Sequence, residues 1–176
     1  METKTTAFKR IISRELVLKL TVSVALIAIS VLAPLAKQQM ITGPIVNACL
    51  FVGAMLLGSG NAVFVGLMPS LIALSIGLLP AVLAPMIPFI MVSNAILILI
   101  FSWLKEKNYW LAVALASITK FAFLFSASFI VSNLIIKKEI AVKAAAMMSW
   151  PQLATALLGG AIAYLIINLF PNKQKC

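Results

Sequence analysis

The sequence contains no histidine and no aspartate, so its only acidic side chains belong to four glutamates. It also lacks the HExxH and GxSxG patterns and the GxxxxGK[ST] phosphate-binding loop. General acid–base catalysis, metal-dependent hydrolysis and nucleotide hydrolysis therefore lack their usual residues. We expect a protein that is not an enzyme and that uses neither a cofactor nor a metal ion.

Cysteine is nearly as scarce. Cys49 lies inside an apolar run and Cys176 is the last residue, so the two form neither a disulfide framework nor a paired zinc-ligand spacing.

Charged residues make up only 10% of the 176 residues, whereas 63% are hydrophobic. A water-soluble domain of this size could not bury so much apolar surface in one core. Apolar runs long enough to cross a hydrocarbon layer of ~30 Å recur along almost the whole chain and leave no room for a separate soluble domain. We predict one integral membrane domain, residues 1–176.

The net charge of +10 would suggest nucleic-acid binding in a soluble protein. Here most basic residues flank apolar segments, where they meet anionic lipid head groups. We therefore expect membrane lipid, and not nucleic acid, to be the partner of these charges.

The basic N-terminal residues followed by an apolar run resemble a secretory signal. However, the run from Leu16 to Ala36 is long enough to span a membrane, and Pro34 makes the alanines around it a poor cleavage site. We interpret the segment as an anchor that is retained.

Glycine, proline and charge clusters divide the chain into six apolar segments. Their approximate bounds are 16–36, 45–58, 61–78, 81–104, 109–136 and 144–170. None alternates between apolar and polar residues as a barrel strand does, so all six are predicted to be helices. The predicted fold class is all-α, a bundle of six transmembrane helices.

Two regions depart from a simple helix. The second segment would span only ~21 Å, so it lies in a thinned region, packs among neighbours or is re-entrant. The preceding stretch "KQQMITGP" is either a lid over an outward-facing pocket or a solvated turn. Pro80, Pro85 and Pro88 crowd the start of the fourth segment and predict kinked or unwound backbone there.

Basic residues predict the orientation. With both termini cytoplasmic, nine basic residues lie inside: Lys4, Lys9, Arg10, Arg14, Lys19, Lys105, Lys107, Lys173 and Lys175. Four lie outside: Lys37, Lys137, Lys138 and Lys143. This asymmetry favours a multi-pass cell-membrane protein with both termini in the cytoplasm. Trp103 and Trp110 would then mark the inner boundary, and Trp150 the outer one.

Lys120 is the one basic residue in the middle of an apolar segment. It follows Trp110 by ten residues, about 15 Å along a helix, and so lies near the bilayer midplane. A charge there costs roughly 2.5 to 3.5 kcal/mol on insertion scales, and no glutamate lies at the same depth. We expect Lys120 to face the protein interior and to find its counter-charge in a bound solute. The alternative is that burial leaves it uncharged, or that its stem bends toward a water-filled crevice.

Several uncharged polar residues lie at depths where they would join such a site. They are Asn47 on the second segment, Asn94 on the fourth, Ser117 on the fifth, and Gln152 and Thr155 on the sixth. Each is equally explained by a hydrogen bond between helices. Small residues four apart, such as Gly159 and Ala163, are expected mainly to let helices pack closely.

The stretches "ITGPIVNACLFVGAMLLGSGNAVFVGLMPSLIAL" and "PAVLAPMIPFIMVSNAILILIF" follow a basic N-terminal segment in a chain of under 200 residues. With six predicted helices, this pattern resembles the substrate-binding S component of energy-coupling factor (ECF) transporters, over roughly residues 15–170.

The resemblance implies a bundle that captures a vitamin, a precursor or a metal ion from outside. The resemblance also implies that the loaded bundle then topples, that is, rotates within the bilayer, beside a transmembrane coupling subunit driven by two ATPase subunits. The family's pocket lies near the outer side, between the loop after helix one and helices four to six. Those regions hold Gln38, Gln39, Thr42, Asn94, Lys120 and Gln152 in this chain. The family's docking face, made of small residues on helix one, matches only Thr21 and Ala25.

Two hypotheses follow. The first is a solute-binding membrane subunit in which Lys120 neutralises an anionic or electron-rich group of a small vitamin-like ligand. The second is a small oligomeric channel, or another structural membrane protein, in which several copies of Lys120 line an anion path.

Overall fold

The computed structural model describes residues 14–79, 81–134 and 145–169. Within this part of the chain every regular element is helical. The α-helices are α1 (Arg14–Leu32), α2 (Gln39–Leu56), α3 (Ser59–Ser75), α4 (Ile87–Leu104), α5 (Tyr109–Leu134) and α6 (Trp150–Leu169). Short 3-10 helices follow α1 (Ala33–Ala36) and precede α4 (Ala81–Met86). The all-α prediction is confirmed.

Five helical stretches are long and apolar enough to cross a membrane. They are Arg14–Ala36, Gln39–Leu56, Leu83–Leu104, Tyr109–Val131 and Ala145–Leu169. These five are compatible with a multi-pass membrane protein. The remaining helix, α3, has 17 residues and is shorter than the others. The predicted count of six membrane spans is therefore not confirmed.

The second helix begins earlier in the chain and is longer than the predicted segment, 45–58. α2 begins at Gln39, not near residue 45, so most of "KQQMITGP" forms its first turns and is neither a lid nor a solvated turn. Pro44 lies inside this helix and removes only one backbone hydrogen bond near its start. The polar side chains of these turns face a cavity, described below, which explains why hydropathy alone did not include them.

The proline-rich entry to the fourth segment is irregular, as predicted. Ala81–Met86 is a 3-10 helix that contains Pro85, and the α-helix proper begins at Ile87, with Pro88 in its first turn. Pro80 lies outside the described residues. Proline is tolerated in the first turn because the missing N–H has no partner there in any helix.

α2 is the central helix of the bundle and contacts α1, α3, α4 and α6. Its contact with α6 is the most extensive, because glycines let the two backbones approach closely. A Cβ added at Gly159 of α6 would lie 2.6 Å from Asn47 Cβ and 2.9 Å from Ala48 N. Thr155 packs against Gly43 of α2 in the same way. The expected packing role of Gly159 is thus observed.

One end of the bundle is held by side chains that bond to backbone atoms of the helices. Lys105 Nζ donates to the carbonyl oxygen of Ala54 at 2.8 Å, which places a cation at the C-terminus of α2. Asn108 caps α5 by accepting from Leu111 N at 3.0 Å. Tyr109 OH donates to the carbonyl oxygen of Gly160 at 2.8 Å. We call this the Lys105 end of the molecule.

Large apolar side chains cover much of the outer surface. Trp103 and Trp110 are exposed near the Lys105 end, and Trp150 is exposed at the start of α6, at the opposite end. Indole rings at both ends of an apolar belt are typical of a protein that contacts lipid.

Gly159→Ala should lower the free energy of unfolding by ~1–3 kcal/mol, because the added methyl group has no space against α2. Thermal unfolding in detergent, followed by tryptophan fluorescence, measures the change. Gly60→Ala is the matched control, since no heavy atom lies within 4 Å of an added Cβ there. Equal midpoints for the two variants would contradict the proposed α2–α6 packing.

Candidate functional site

Lys120 lies on α5 and is only 4% exposed. Its Nζ donates to Asn47 Oδ1 at 2.7 Å and to Asn94 Oδ1 at 2.8 Å. Both asparagines are themselves buried. Three side chains from α2, α4 and α5 thus meet inside the bundle, and we call them the Lys120 cluster.

The orientation of both amides is fixed by a second hydrogen bond. Asn47 Nδ2 donates to the carbonyl oxygen of Gly43 at 2.9 Å, and Asn94 Nδ2 donates to that of Gly66 at 3.0 Å. A carbonyl oxygen only accepts, so each amide must turn its nitrogen toward the backbone and its oxygen toward Lys120. The cluster therefore presents two negative dipole ends to one lysine nitrogen.

No carboxylate joins the cluster within the described residues. Glu15 pairs with Lys19 on the exposed face of α1 at 2.6 Å, and Glu106 is exposed at the Lys105 end. Glu2 and Glu139 lie outside the described residues. An ammonium group has three N–H donors, and the two asparagines accept two of them. The third remains for another acceptor.

The Lys120 cluster borders a cavity of about 280 Å³. The cavity lies at the end of the bundle opposite Lys105, where α1 and α3 end and α2 and α6 begin. The space is large enough to hold several water molecules. That is enough for a small organic solute, near the lower limit of typical ligand pockets.

Six of the eight predicted substrate-binding residues line this cavity: Asn47, Asn94, Lys120, Gln39, Thr42 and Gln152. Gln39 Nε2 donates to the carbonyl oxygen of Met147 at 2.6 Å, and Gln152 Nε2 donates to the same oxygen at 3.1 Å. Thr42 Oγ1 donates to the carbonyl oxygen of Ala33 at 3.1 Å. Residues from α2, α4, α5 and α6 are thus brought to one space.

The other two predicted residues lie elsewhere. Thr155 is buried in the α2–α6 contact and its hydroxyl donates to the carbonyl oxygen of Gln152 at 3.2 Å. Ser117 is fully buried on α5, and its hydroxyl has no hydrogen-bond partner among the described residues. Neither lines the cavity.

The two predicted docking residues, Thr21 and Ala25, are exposed on α1. Together with Leu20 and Val24 they border a shallow groove on the outer surface. The small-residue spacing on this helix is therefore not used for packing within the described chain, in contrast to Gly159 on α6.

Sequence reasoning missed several residues that line the cavity. They include Lys37, Ser70, Met147 and Met148. Lys37 has φ 52°, which is uncommon for a residue other than glycine, and it ends the 3-10 helix that follows α1. The methionines directly precede α6, where adaptable thioether side chains are suited to an irregular wall. Nearness to the predicted outer ends of the helices was the one signal that could have identified them.

Comparison with family models, with curated proteins and with solved structures finds no significant match to this chain. The resemblance to ECF S components therefore remains a prediction.

Asn94→Leu should destabilise the fold by ~1.5–3 kcal/mol, because it removes an acceptor from a buried charged donor and a second hydrogen bond that ties α4 to the carbonyl oxygen of Gly66. Lys120→Met introduced into the same protein should recover part of the loss, since no cation then needs the amide. The free energy of unfolding of both single variants and of the double variant measures this coupling.

Asn61→Leu is the control for that cycle. Asn61 is exposed on α3 and its amide bonds only to the carbonyl oxygen of Leu57 in the preceding turn. Two outcomes would show that the cluster is not energetically coupled. The first is that the effects of Asn94→Leu and Lys120→Met on the free energy of unfolding are additive. The second is that Asn94→Leu lowers this free energy no more than Asn61→Leu does.

Proposed function

We propose that this chain is the membrane-embedded substrate-binding subunit of an ECF-type importer. It captures a small vitamin-like solute with an anionic or electron-rich group. It passes that solute on with a transmembrane coupling subunit and two ATPase subunits. The observation that carries the proposal is the buried nitrogen of Lys120, which faces a cavity of about 280 Å³ with two amide oxygens and no described carboxylate around it.

The physical argument rests on the cost of desolvating a charge. Transferring an ammonium group from water into a low-dielectric interior costs several kcal/mol, and two amide dipoles compensate this only in part. A solute that brings a negative charge into the cavity supplies the rest. A neutral ester or amide of the same solute does not, so the site discriminates strongly between them.

The cavity is closed toward the Lys105 end by packed apolar side chains. Phe51, Leu97 and Phe101 follow the cluster residues along α2 and α4, and all three are fully buried. A closed pocket of this kind suits capture and release of a solute at one end of the bundle. The described residues of a single copy offer no continuous path for ions past these packed side chains.

The partners follow from what the chain lacks. It has no phosphate-binding loop for nucleotides, and its described spans hold no acidic residue at the depth of Lys120. Energy for import must then come from a partner or from a gradient, and our proposal assigns it to the two ATPase subunits. The exposed groove around Thr21 and Ala25 on α1 is the surface that the family resemblance assigns to the coupling subunit.

Lys120→Met should abolish solute binding and leave the fold intact or more stable, because it removes the charge and keeps most of the volume. Native mass spectrometry of the detergent-purified protein measures this as the loss of a retained small-molecule adduct. Lys107→Met, which removes an exposed charge at the Lys105 end, is the control and should keep the adduct.

If the Lys120→Met variant retains as much small-molecule adduct as the unmodified protein, the lysine has no role in binding. Co-purification of ATPase subunits with the unmodified chain would support the transporter. Ion conductance in reconstituted bilayers without any ATPase would instead support the oligomeric channel.

The orientation predicted from the basic residues places the cavity on the outer side and both termini in the cytoplasm. In a chain carrying Cys49→Ala and Cys176→Ser, Gln38→Cys should react with a membrane-impermeant maleimide on intact cells, because Gln38 is exposed and lines the cavity. Lys107→Cys should react only after permeabilisation. The reverse pattern would place the cavity on the cytoplasmic side.

A further inference from the structure

We infer that the captured solute is bipolar, with a carboxylate or similar acceptor group at one end and an N–H donor at the other, roughly 10 Å apart. This inference rests on the proposed function and narrows it to a chemical class. It follows from the hydrogen-bond partners of the Lys120 cluster at one end of the cavity and of Gln39 and Gln152 at the other.

The inner pole of the cavity, formed by the Lys120 cluster, offers a hydrogen-bond donor. Both amide oxygens of the Lys120 cluster accept from Lys120 Nζ, and both amide nitrogens donate to backbone carbonyl oxygens. The asparagines therefore have their principal partners within the protein. The third N–H of the Lys120 ammonium is left for the solute, and it can donate only to an acceptor group or an anion.

The outer pole of the cavity, formed by Gln39 and Gln152, offers hydrogen-bond acceptors. The side-chain nitrogens of Gln39 and Gln152 both donate to the carbonyl oxygen of Met147, and that of Gln152 also lies 3.8 Å from the sulfur of Met148. Turning either amide over would place its oxygen against that carbonyl oxygen, so the orientation is fixed by chemistry. Neither glutamine Oε1 accepts a hydrogen bond from a described residue, and both side chains line the cavity.

The two poles lie at different depths. Gln39 precedes Asn47 by eight residues on α2, which corresponds to ~12 Å along the helix. Between them the wall is mostly apolar and includes Val46, Pro69 and Ile90. A solute that satisfies both poles therefore has an apolar middle, and its N–H group is a secondary amide or a ring nitrogen.

Lys37 is the other cation at the cavity, and it would favour a second anionic group. However, Lys37 is exposed, so water and salt screen its charge, whereas Gln39 and Gln152 are partly buried residues. We therefore infer that the solute places an N–H donor at the outer pole. The probes below include a dicarboxylic acid, which tests the alternative of a second anionic group.

A matched set of probes separates the two poles. 6-Acetamidohexanoic acid carries both a carboxylate and an amide N–H; its N-methyl derivative lacks the N–H, and N-hexylacetamide lacks the carboxylate. Nonanedioic acid carries two carboxylates at the ends of a main chain of the same overall length. Binding to the purified full chain in detergent is measured by isothermal titration calorimetry, with retained solute first removed by dialysis.

We expect 6-acetamidohexanoic acid to bind about tenfold or more tightly than any of the other three, because each missing group leaves a partly buried protein atom unpaired. The Gln39→Met/Gln152→Met double variant should lose the preference for N–H over N-methyl and keep the preference for the carboxylate. Lys120→Met should lose the carboxylate preference.

Equal binding of the acetamido acid and its N-methyl derivative, or tightest binding of nonanedioic acid, would overturn the bipolar assignment and leave anion capture standing. If no probe binds, the chemical composition of the retained solute seen by native mass spectrometry tests the bipolar assignment. A composition with both an acidic and an N–H group supports the assignment, and one that lacks either overturns it. Absence of both probe binding and a retained solute would overturn the proposed function itself.

Discussion

A buried lysine nitrogen held by two asparagine oxygens is the constraint on which the interior of this protein depends. Lys120 on α5 contacts Asn47 on α2 and Asn94 on α4, and those amides bond onward to backbone atoms of α2 and α3. The network therefore ties four helices together at one depth. Because hydrocarbon offers no alternative partners, each of these hydrogen bonds must be made within the protein or with a solute.

Close packing of α2 and α6 places the rest of the cavity wall relative to this cluster. Gly159 brings the backbone of α6 against Asn47, and two turns toward the cavity end the same helix pair presents Gln152 near Gln39. The single carbonyl oxygen of Met147 then orients both glutamines. Helix packing and site chemistry are thus coupled, since a shift between α2 and α6 would move both poles of the cavity.

Much of the candidate site was predictable because polar residues are conspicuous in long apolar segments. Lys120, Asn47, Asn94 and Gln152 stand out in apolar runs, and all four line the cavity. Thr155 stood out for the same reason, yet it serves helix contact, because a short hydroxyl side chain is satisfied within its own helix. Hydropathy also missed the first turns of α2, where polar residues face the cavity inside a helix that continues to Leu56.

The sequence by itself determined apolar segments long enough to cross a membrane, the helical fold and the presence of a lysine in an apolar segment without a nearby carboxylate. These are local properties, set by the composition of each segment and by the cost of placing charge in hydrocarbon. Only the tertiary structure decided which partners the cation has, since Asn47 and Asn94 are 73 and 26 residues from Lys120 in the chain. Such pairings depend on how helices rotate and how closely they approach, and one-dimensional hydropathy contains neither.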